Sequence, residues 1–137
     1  MTPGEGAYAQ RELSLAEDAL RSVGALLDLR LLNDATSRLY YAVFHAAQAA
    51  LVCRSRTART NSGLVNVFGE EFGDEVLLRT LLGLRNQADY GKTELKASEA
   101  TLRTYAVEAA AFVERCRAIV ADAAASGADE PDPAPDL

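Results

Sequence analysis

Apolar residues recur at every third or fourth position along most of this chain, and this period constrains the fold more than any other feature of the sequence. The clearest case follows Ser98, which is a candidate N-cap. One apolar face then continues for about five turns. It consists of Leu102, Tyr105, Ala106, Ala109, Phe112, Val113, Cys116, Ile119 and Val120. No stretch alternates with period two for long enough to form a strand, so the sequence predicts an all-α protein.

The same period predicts the rest of the fold. It favours main helices over about 13–31, 34–54, 74–91 and 98–120, with a short additional helix between 61 and 73. Ser14 and Glu17 form a candidate capping box for the first helix. The pair at 33–34 and Asp74 are candidate N-caps of later helices, and Gly91 is a candidate stop. Because the connections are short, we expect an up-and-down bundle of four main helices plus the short one.

The length of 137 residues fits one domain with a single core. The net charge is −6, but four of the acidic residues lie in the last twelve positions, which also hold three prolines. A segment of that composition cannot bury enough apolar surface to fold. We therefore expect a flexible N-terminus over residues 1–10, a helical domain over 11–125 and a disordered acidic tail over 126–137.

The sequence indicates neither a cofactor nor a membrane span. Two cysteines and one histidine cannot supply a four-ligand zinc site of Cys and His, so no metal is expected, and Cys53 and Cys116 are interpreted as core residues. The N-terminus lacks the apolar segment of a signal peptide. The longest apolar run, over 39–53, is too short and too polar to cross a bilayer. We expect a cytoplasmic protein without a membrane partner.

The second helix is apolar around most of its circumference. Its apolar stripes consist of Leu39, Val43, Ala46, Ala50 and Cys53, and of Tyr40, Phe44, Ala47 and Leu51. A helix of this kind is either central in its own bundle or shared with another subunit. Because no helix of a four-helix bundle is enclosed by the other three, we expect a homodimer that packs partly through this helix. The alternative is a monomer in which the short helix covers the second face.

A line of polar residues runs along the same helix. Ser37, Tyr41, His45 and Gln48 follow one another at spacings of four, four and three, with Arg38 beside them. They therefore share one face of the helix. Because buried polar groups need partners, the line predicts either a network that fixes helix packing or one half of a polar pocket. The other half of that pocket would come from the segment LRNQADYGK at 84–92.

That segment concentrates functional side chains at a helix end. Arg85, Asn86, Asp89 and Tyr90 all precede Gly91. Arg85 and Asp89 are four residues apart, so they can form an ion pair on one helix face. The guanidinium could equally hold a phosphate by a bidentate contact. The segment therefore predicts either a stabilised helix end or a ligand-binding site shared with the polar line.

Two other polar clusters are candidates for ion binding. The segment 54–62 holds three arginines before a predicted helix start, which suits phosphate. Arginines at a helix C-terminus are, however, also favourable with the helix dipole. The acidic group Glu70, Glu71, Asp74 and Glu75 lacks the spacing of a calcium loop. We interpret it as a solvated turn.

Three segments together resemble the HEPN superfamily (higher eukaryotes and prokaryotes nucleotide-binding domain). They are SRLYYAVFHAAQAAL at 37–51, TNSGLVNVFGEEF at 60–72 and LRNQADYG at 84–91. They look especially like its small prokaryotic, UPF0332-type branch, and the resemblance covers roughly residues 13–120. It implies a bundle of four or five helices, frequently dimeric. It also implies a role in a toxin–antitoxin pair, with a nucleotidyltransferase-like antitoxin as partner and RNA or a nucleotide as ligand.

The resemblance further implies a ribonuclease motif, which this chain carries only in part. Catalytic members have an arginine, an adjacent polar residue and a histidine a few residues later. Arg85 and Asn86 match the first two positions, and Tyr90 stands where the histidine is expected. A tyrosine, with an ordinary pKa of about 10, is a poor base at neutral pH. Asp89 and His45 are the remaining candidates for a catalytic acid or base.

The sequence thus supports three hypotheses. The first is a HEPN-like binding or interaction module without the complete ribonuclease motif. The second is a metal-independent endoribonuclease in which Arg85 stabilises phosphate while His45 or Asp89 transfers protons. The third is a structural partner that sequesters another protein, in which the acidic tail could occupy a basic groove.

Overall fold

Five α-helices and no strand make up the part of the chain that the computed structural model describes, residues 1–91 and 97–128. The helices are α1 (Pro3–Asp28), α2 (Leu32–Val52), α3 (Asn61–Phe72), α4 (Val76–Tyr90) and α5 (Glu99–Ala128). The predicted all-α class, with one short helix beside four longer ones, is confirmed. Within the same two ranges, no helix is both long enough and apolar enough to cross a membrane.

Helix α1 begins much earlier than the apolar spacing predicted. Thr2 is its N-cap: Thr2 Oγ1 accepts a hydrogen bond from the Glu5 N–H at 3.1 Å, and Glu5 Oε1 accepts one from the Thr2 N–H at 2.8 Å. This capping box, with Pro3 at the start of the helix, replaces the box predicted from Ser14. Residues 3–10, which we expected to be flexible, are therefore helical, and Ala9 among them is fully buried.

The other predicted helix boundaries are partly correct. Ser98 Oγ accepts a hydrogen bond from the Thr101 N–H at 3.1 Å, as expected of an N-cap. Helix α2 begins at Leu32, so the pair at 33–34 lies inside its first turn instead of capping it. Asp74 was expected to cap α4, but it adopts a positive φ of 53° and the cap is the following residue. Gly91 ends α4 as predicted.

Helix α2 is the centre of the fold, because it contacts each of the other four helices. Over 35–52 only five side chains are not fully buried: Ser37, Arg38, Tyr41, Phe44 and His45. The short helix α3 and its neighbours cover the second apolar stripe within one chain except at Phe44, which is partly exposed. The structure therefore weakens the argument that a second subunit is needed to cover α2, but these five side chains remain partly or fully exposed, and the homodimer and the monomer both stay predictions.

The core is built around the aromatic side chains of α2, α3 and α5. Phe68 is fully buried, and its ring centroid lies 5.1 Å from that of Phe72 and 5.3 Å from that of Phe112. Tyr40 is also fully buried and donates a hydrogen bond to Asn61 Oδ1 at 2.9 Å, which joins α2 to the start of α3. Burial raises the pKa of Tyr40 to about 12. These contacts fix α3 against the bundle.

Both cysteines carry free thiols, as predicted. Cys116 is fully buried, and its burial raises the pKa of the thiol to about 12. Cys53 is only half-buried at the end of α2. At the C-terminus, α5 continues to Ala128, so residues 126–128 of the predicted tail are helical. The rest of the predicted acidic tail, 129–137, lies outside the described residues.

Candidate functional site

Arg85 occupies the last turns of α4, where its side chain is 12% exposed. Its Nε lies 3.0 Å from Asp89 Oδ2, but the N–H does not point at that oxygen, so the contact is a close ion pair without hydrogen-bond geometry. The guanidinium also donates long hydrogen bonds to the Tyr41 hydroxyl at 3.4 Å and to Asn86 Oδ1 at 3.3 Å. The predicted Arg85–Asp89 pair is therefore present, and Tyr41 of the polar line reaches it.

Asp89 links α4 to α2. Its Oδ1 accepts a hydrogen bond from the Ser37 hydroxyl at 2.5 Å, while its Oδ2 faces Arg85. Both carboxylate oxygens are thus engaged by neighbouring side chains. The structure brings Ser37 and Tyr41 of the polar line into contact with Asp89 and Arg85 of the segment 84–91.

Two guanidinium groups lie against the ring of Tyr41. The Cζ of Arg38 is 5.4 Å from its centroid, and the Cζ of Arg85 is 5.8 Å from it. Arg85 also lies 5.3 Å from the ring of Tyr90, which is 72% exposed. These distances are within the range of cation–π attraction. We call the surface formed by Arg38, Tyr41, Arg85 and Tyr90 the arginine–tyrosine face.

The charge of Arg85 is set by opposing effects of its surroundings. Desolvation lowers the pKa of Arg85, but hydrogen bonding to Tyr41 and the nearby Asp89 carboxylate act in the other direction, and the net shift is upward. Arg38 is exposed and forms no ion pair with any residue of the described ranges. The face therefore presents two permanent positive charges between aromatic rings.

His45 does not contact Arg85. Its Nδ1 lies 2.5 Å from Glu12 Oε2 on α1, and both side chains are mostly buried. The His45 ring stacks on Tyr41, with centroids 6.2 Å apart and an interplanar angle of 27°. Tyr41 thus contacts both His45 and Arg85. The hypothesis that His45 acts directly beside the guanidinium finds no contact in this arrangement.

Glu12 was not among the predicted site residues. It belongs to α1, 33 positions before His45, so no local spacing relates the two. One turn earlier on α1, burial and the Glu12 carboxylate raise the pKa of Tyr8. A signal was nevertheless present in the sequence: Glu12 directly precedes the buried Leu13 on a helix, and a carboxylate beside an apolar stripe needs a partner.

No protein-family model matches the sequence. Individual proteins are nevertheless similar to it in sequence. "Putative toxin MJ0605" of Methanocaldococcus jannaschii is 31% identical over 116 residues, which cover 79% of this chain and 85% of that protein. "UPF0332 protein glr0978" of Gloeobacter violaceus is 28% identical over 122 residues, covering 83% and 94%. "UPF0332 protein PH1297" of Pyrococcus horikoshii is 36% identical over 63 residues, covering 46% and 44%.

The chain belongs to the UPF0332 family. In this UPF0332 protein, Gln48 is separated from the rest of the polar line. Its side chain is buried, its Nε2 donates a hydrogen bond to the Ala58 carbonyl at 3.2 Å, and its Oε1 has no partner within the described residues. Gln48 therefore holds the loop after α2 instead of joining the arginine–tyrosine face.

Internal ion pairs engage the acidic group of this UPF0332 protein and one of the three arginines in the segment 54–62. Arg56 of the 54–62 segment pairs with Glu70 at 3.1 Å and Glu71 at 2.9 Å. The remaining acids of the cluster pair with arginines of α4 and α5: Glu75 with Arg79, and Asp74 with Arg115. No group of three metal-ligating residues occurs within 1–91 and 97–128. The acidic group thus lies around the turn between α3 and α4, where its members pair with arginines, a pairing that was not predicted from the sequence.

Proposed function

We propose that this UPF0332 protein is a HEPN-type module of a toxin–antitoxin pair and that its arginine–tyrosine face binds RNA. The observation that carries the proposal is the pair of guanidinium groups that share the ring of Tyr41 at the surface, 5.4 and 5.8 Å from its centroid. The assignment to a toxin–antitoxin pair is supported by the name of the Methanocaldococcus jannaschii relative, which describes that protein as a toxin.

The chemistry of the face suits single-stranded RNA. Arginine binds phosphate oxygens by charge-assisted hydrogen bonds, and unpaired bases stack on aromatic side chains and on guanidinium planes. Tyr90 is 72% exposed and can therefore accept a base on its free side. Arg38 is exposed and forms no ion pair within residues 1–91 and 97–128, so its guanidinium can take a phosphate without losing a pair there. The face thus combines the two kinds of contact that single strands need.

The contacts of the candidate bases favour binding over cleavage. Asp89 has both oxygens engaged, by Ser37 and by Arg85. His45 is held by Glu12 and reaches Arg85 only through Tyr41. The metal-independent endoribonuclease, with Arg85 as phosphate ligand and His45 or Asp89 as acid or base, is the alternative. It draws on one observation: the ring of Tyr41 contacts both His45 and Arg85.

Binding can be measured by fluorescence anisotropy with labelled single-stranded RNA of mixed sequence. We expect Arg85→Ala and Arg38→Ala each to weaken affinity about ten- to a hundredfold, because each removes a charged hydrogen-bond donor. Arg79→Ala is the matched control, since Arg79 lies on the same helix, 63% exposed, and pairs with Glu75 away from the face. Equal losses in all three variants, or none in the first two, would remove the assignment of the face.

The nuclease alternative has its own readout. RNA incubated with the protein in EDTA should stay intact if the face only binds. Cleavage to products that end in a cyclic phosphate, abolished by Arg85→Ala, would establish the endoribonuclease instead.

The partner of the proposed toxin–antitoxin pair is a nucleotidyltransferase-like antitoxin, as the HEPN resemblance implies. We expect the protein to co-purify with the product of a neighbouring reading frame when the two are co-expressed. If the protein elutes alone from size-exclusion chromatography after co-expression with the products of both adjacent reading frames, this part of the proposal is contradicted. Co-purification with loss of RNA binding would instead favour the third hypothesis, a partner that acts by sequestering another protein.

A further inference from the structure

His45 is the only histidine of the chain, and its nearest polar partner lies on another helix. His45 Nδ1 and Glu12 Oε2 lie 2.5 Å apart, which is within hydrogen-bond distance. Glu12 is 12% exposed and His45 22% exposed. The pair is thus sheltered from water, but one part of the imidazole remains at the surface.

The chemistry of the two groups decides which nitrogen carries the proton. An ionised carboxylate can only accept hydrogen bonds, so the hydrogen between the two groups belongs to His45 Nδ1. In neutral imidazole the other nitrogen, Nε2, then carries the lone pair. Carboxylates that bind one imidazole nitrogen fix the tautomer and orientation of the ring in this way.

The surroundings of the pair place the imidazole ring of His45 beside the arginine–tyrosine face. Besides Glu12, the ring of His45 is packed against Tyr41 and Phe44, with centroids 6.2 and 5.2 Å away. The other titratable group near Glu12 is Tyr8 of α1. Tyr41, on which His45 stacks, in turn contacts the guanidinium of Arg85. The imidazole of His45 and the guanidinium of Arg85 are therefore separated by one aromatic ring.

We propose that Glu12 and His45 form a dyad in which Glu12 is a positioning residue that holds His45 in its Nδ1–H form, so that Nε2 accepts a hydrogen bond from a ribose 2′-hydroxyl. In RNA this hydroxyl lies next to the phosphate that the arginines bind. It is also the group by which a protein distinguishes RNA from DNA at a given site. The ribose part of this inference rests on the proposed RNA-binding function, whereas the tautomer part does not.

The tautomer can be measured directly, because a single histidine gives one unambiguous set of imidazole signals. A long-range ¹H–¹⁵N correlation spectrum of the neutral form should show a protonated Nδ1 and an unprotonated Nε2 in the wild-type protein. Histidine in water prefers the opposite form, so a wild-type spectrum dominated by protonated Nε2 overturns the dyad, whatever ligand the protein binds.

Glu12→Ala tests the role of the carboxylate. The variant should shift His45 towards the Nε2–H form while the backbone amide spectrum keeps its dispersion. Glu17→Ala is the control: Glu17 is an acid of the same helix, 50% exposed and paired with Arg117, and its removal should leave the His45 spectrum unchanged. Retention of the Nδ1–H form in a folded Glu12→Ala protein contradicts the proposal.

The ribose part is tested with RNA and DNA single strands of the same sequence. We expect the wild-type protein to prefer RNA, and Glu12→Ala to weaken RNA binding about three- to tenfold without changing DNA binding. Equal binding of the two strands by the wild-type protein overturns the ribose contact but leaves the RNA-binding face in place. Absence of binding to either strand contradicts the proposed function, while the tautomer measurement still decides the dyad.

Discussion

Removing the carboxylate of Asp89 should lower the stability of the protein and raise its affinity for RNA. The substitution Asp89→Ala eliminates two contacts: the hydrogen bond from the Ser37 hydroxyl at 2.5 Å and the ion pair with Arg85 at 3.0 Å. The first anchors the end of α4 to α2. The second places a negative charge where a phosphate would approach Arg85, so the two effects have opposite signs.

The cost in stability follows from burial. A hydrogen bond of this kind contributes about 0.5–1.5 kcal/mol. The ion pair lies between the exposed case, worth up to about 1 kcal/mol, and the buried case, where breaking the pair costs about 3–5 kcal/mol. Because Asp89 is 31% exposed and Arg85 12% exposed, we place the sum near 2 kcal/mol. For a chain of this length that lowers Tm by roughly 6–10 °C.

Urea denaturation gives the change in free energy of unfolding, and anisotropy gives the change in affinity. Ser37→Ala should cost only about 1 kcal/mol without raising affinity, because it leaves the charge of Asp89 in place. RNA should bind Asp89→Ala about threefold tighter or more at low salt, since a negative charge next to the phosphate has been removed. The control is Asp18→Ala, because the Asp18–Arg21 pair is 61% and 80% exposed and should contribute little.

Two results would refute this reasoning. If the folded Asp89→Ala protein binds RNA more weakly than wild type, Asp89 orients Arg85 for the ligand instead of competing with it. If the double variant with Ser37→Ala is destabilised by the full sum of the single changes, the hydroxyl and carboxylate do not act as one contact.

Three further predictions concern the fold. Phe68→Ala should lower the free energy of unfolding in urea by about 3–5 kcal/mol, because it empties a site between Phe72 and Phe112. The control Val107→Ala, at a residue that is 72% exposed, should change that free energy by less than about 0.5 kcal/mol. The hydrogen bond from the Thr2 N–H lowers the pKa of Glu5. The capping box therefore stabilises the protein at pH values above the ordinary pKa of glutamate, and this stabilisation is lost as the pH falls through the lowered pKa. Amide exchange in the first turn of α1 should then accelerate, and an unchanged exchange rate contradicts the cap. The homodimer expected from the sequence stays a prediction, supported now only by the half-buried stripe of α2. A molar mass of one chain in sedimentation equilibrium would reject it.

The helical class could be predicted because the apolar spacing of α5 is long and regular, and its buried positions, such as Leu102 and Val113, are those of the predicted face. The start of α1 could not be read from large apolar residues, because its first buried side chain is Ala9. The signal was instead the Thr2 and Glu5 box at the very beginning of the chain. An apolar period thus identifies a helix better than it locates the helix end.

The polar contacts show the same limit at longer range. Arg85 and Asp89 lie on one helix, so their spacing alone predicted the ion pair. That Ser37 completes the contact depends on how α4 packs against α2, and that Glu12 meets His45 depends on how α1 does. For α2, the apolar circumference was recognised correctly, but a second subunit was expected to cover it because no helix of a four-helix bundle is enclosed by the other three; α2 in fact contacts all four other helices of its own chain.

The way α4 is fastened has a thermodynamic consequence. The fully buried side chains of this helix, Leu78 and Leu81, lie in its first half, so its last turns depend on the polar contacts of Arg85 and Asp89. A phosphate that draws Arg85 away from Asp89 therefore also loosens the helix end, and the free energy of binding includes the cost of that loosening. Ligand binding and the local unfolding of α4 are in this sense linked equilibria, so a change in the free energy of one shifts the other.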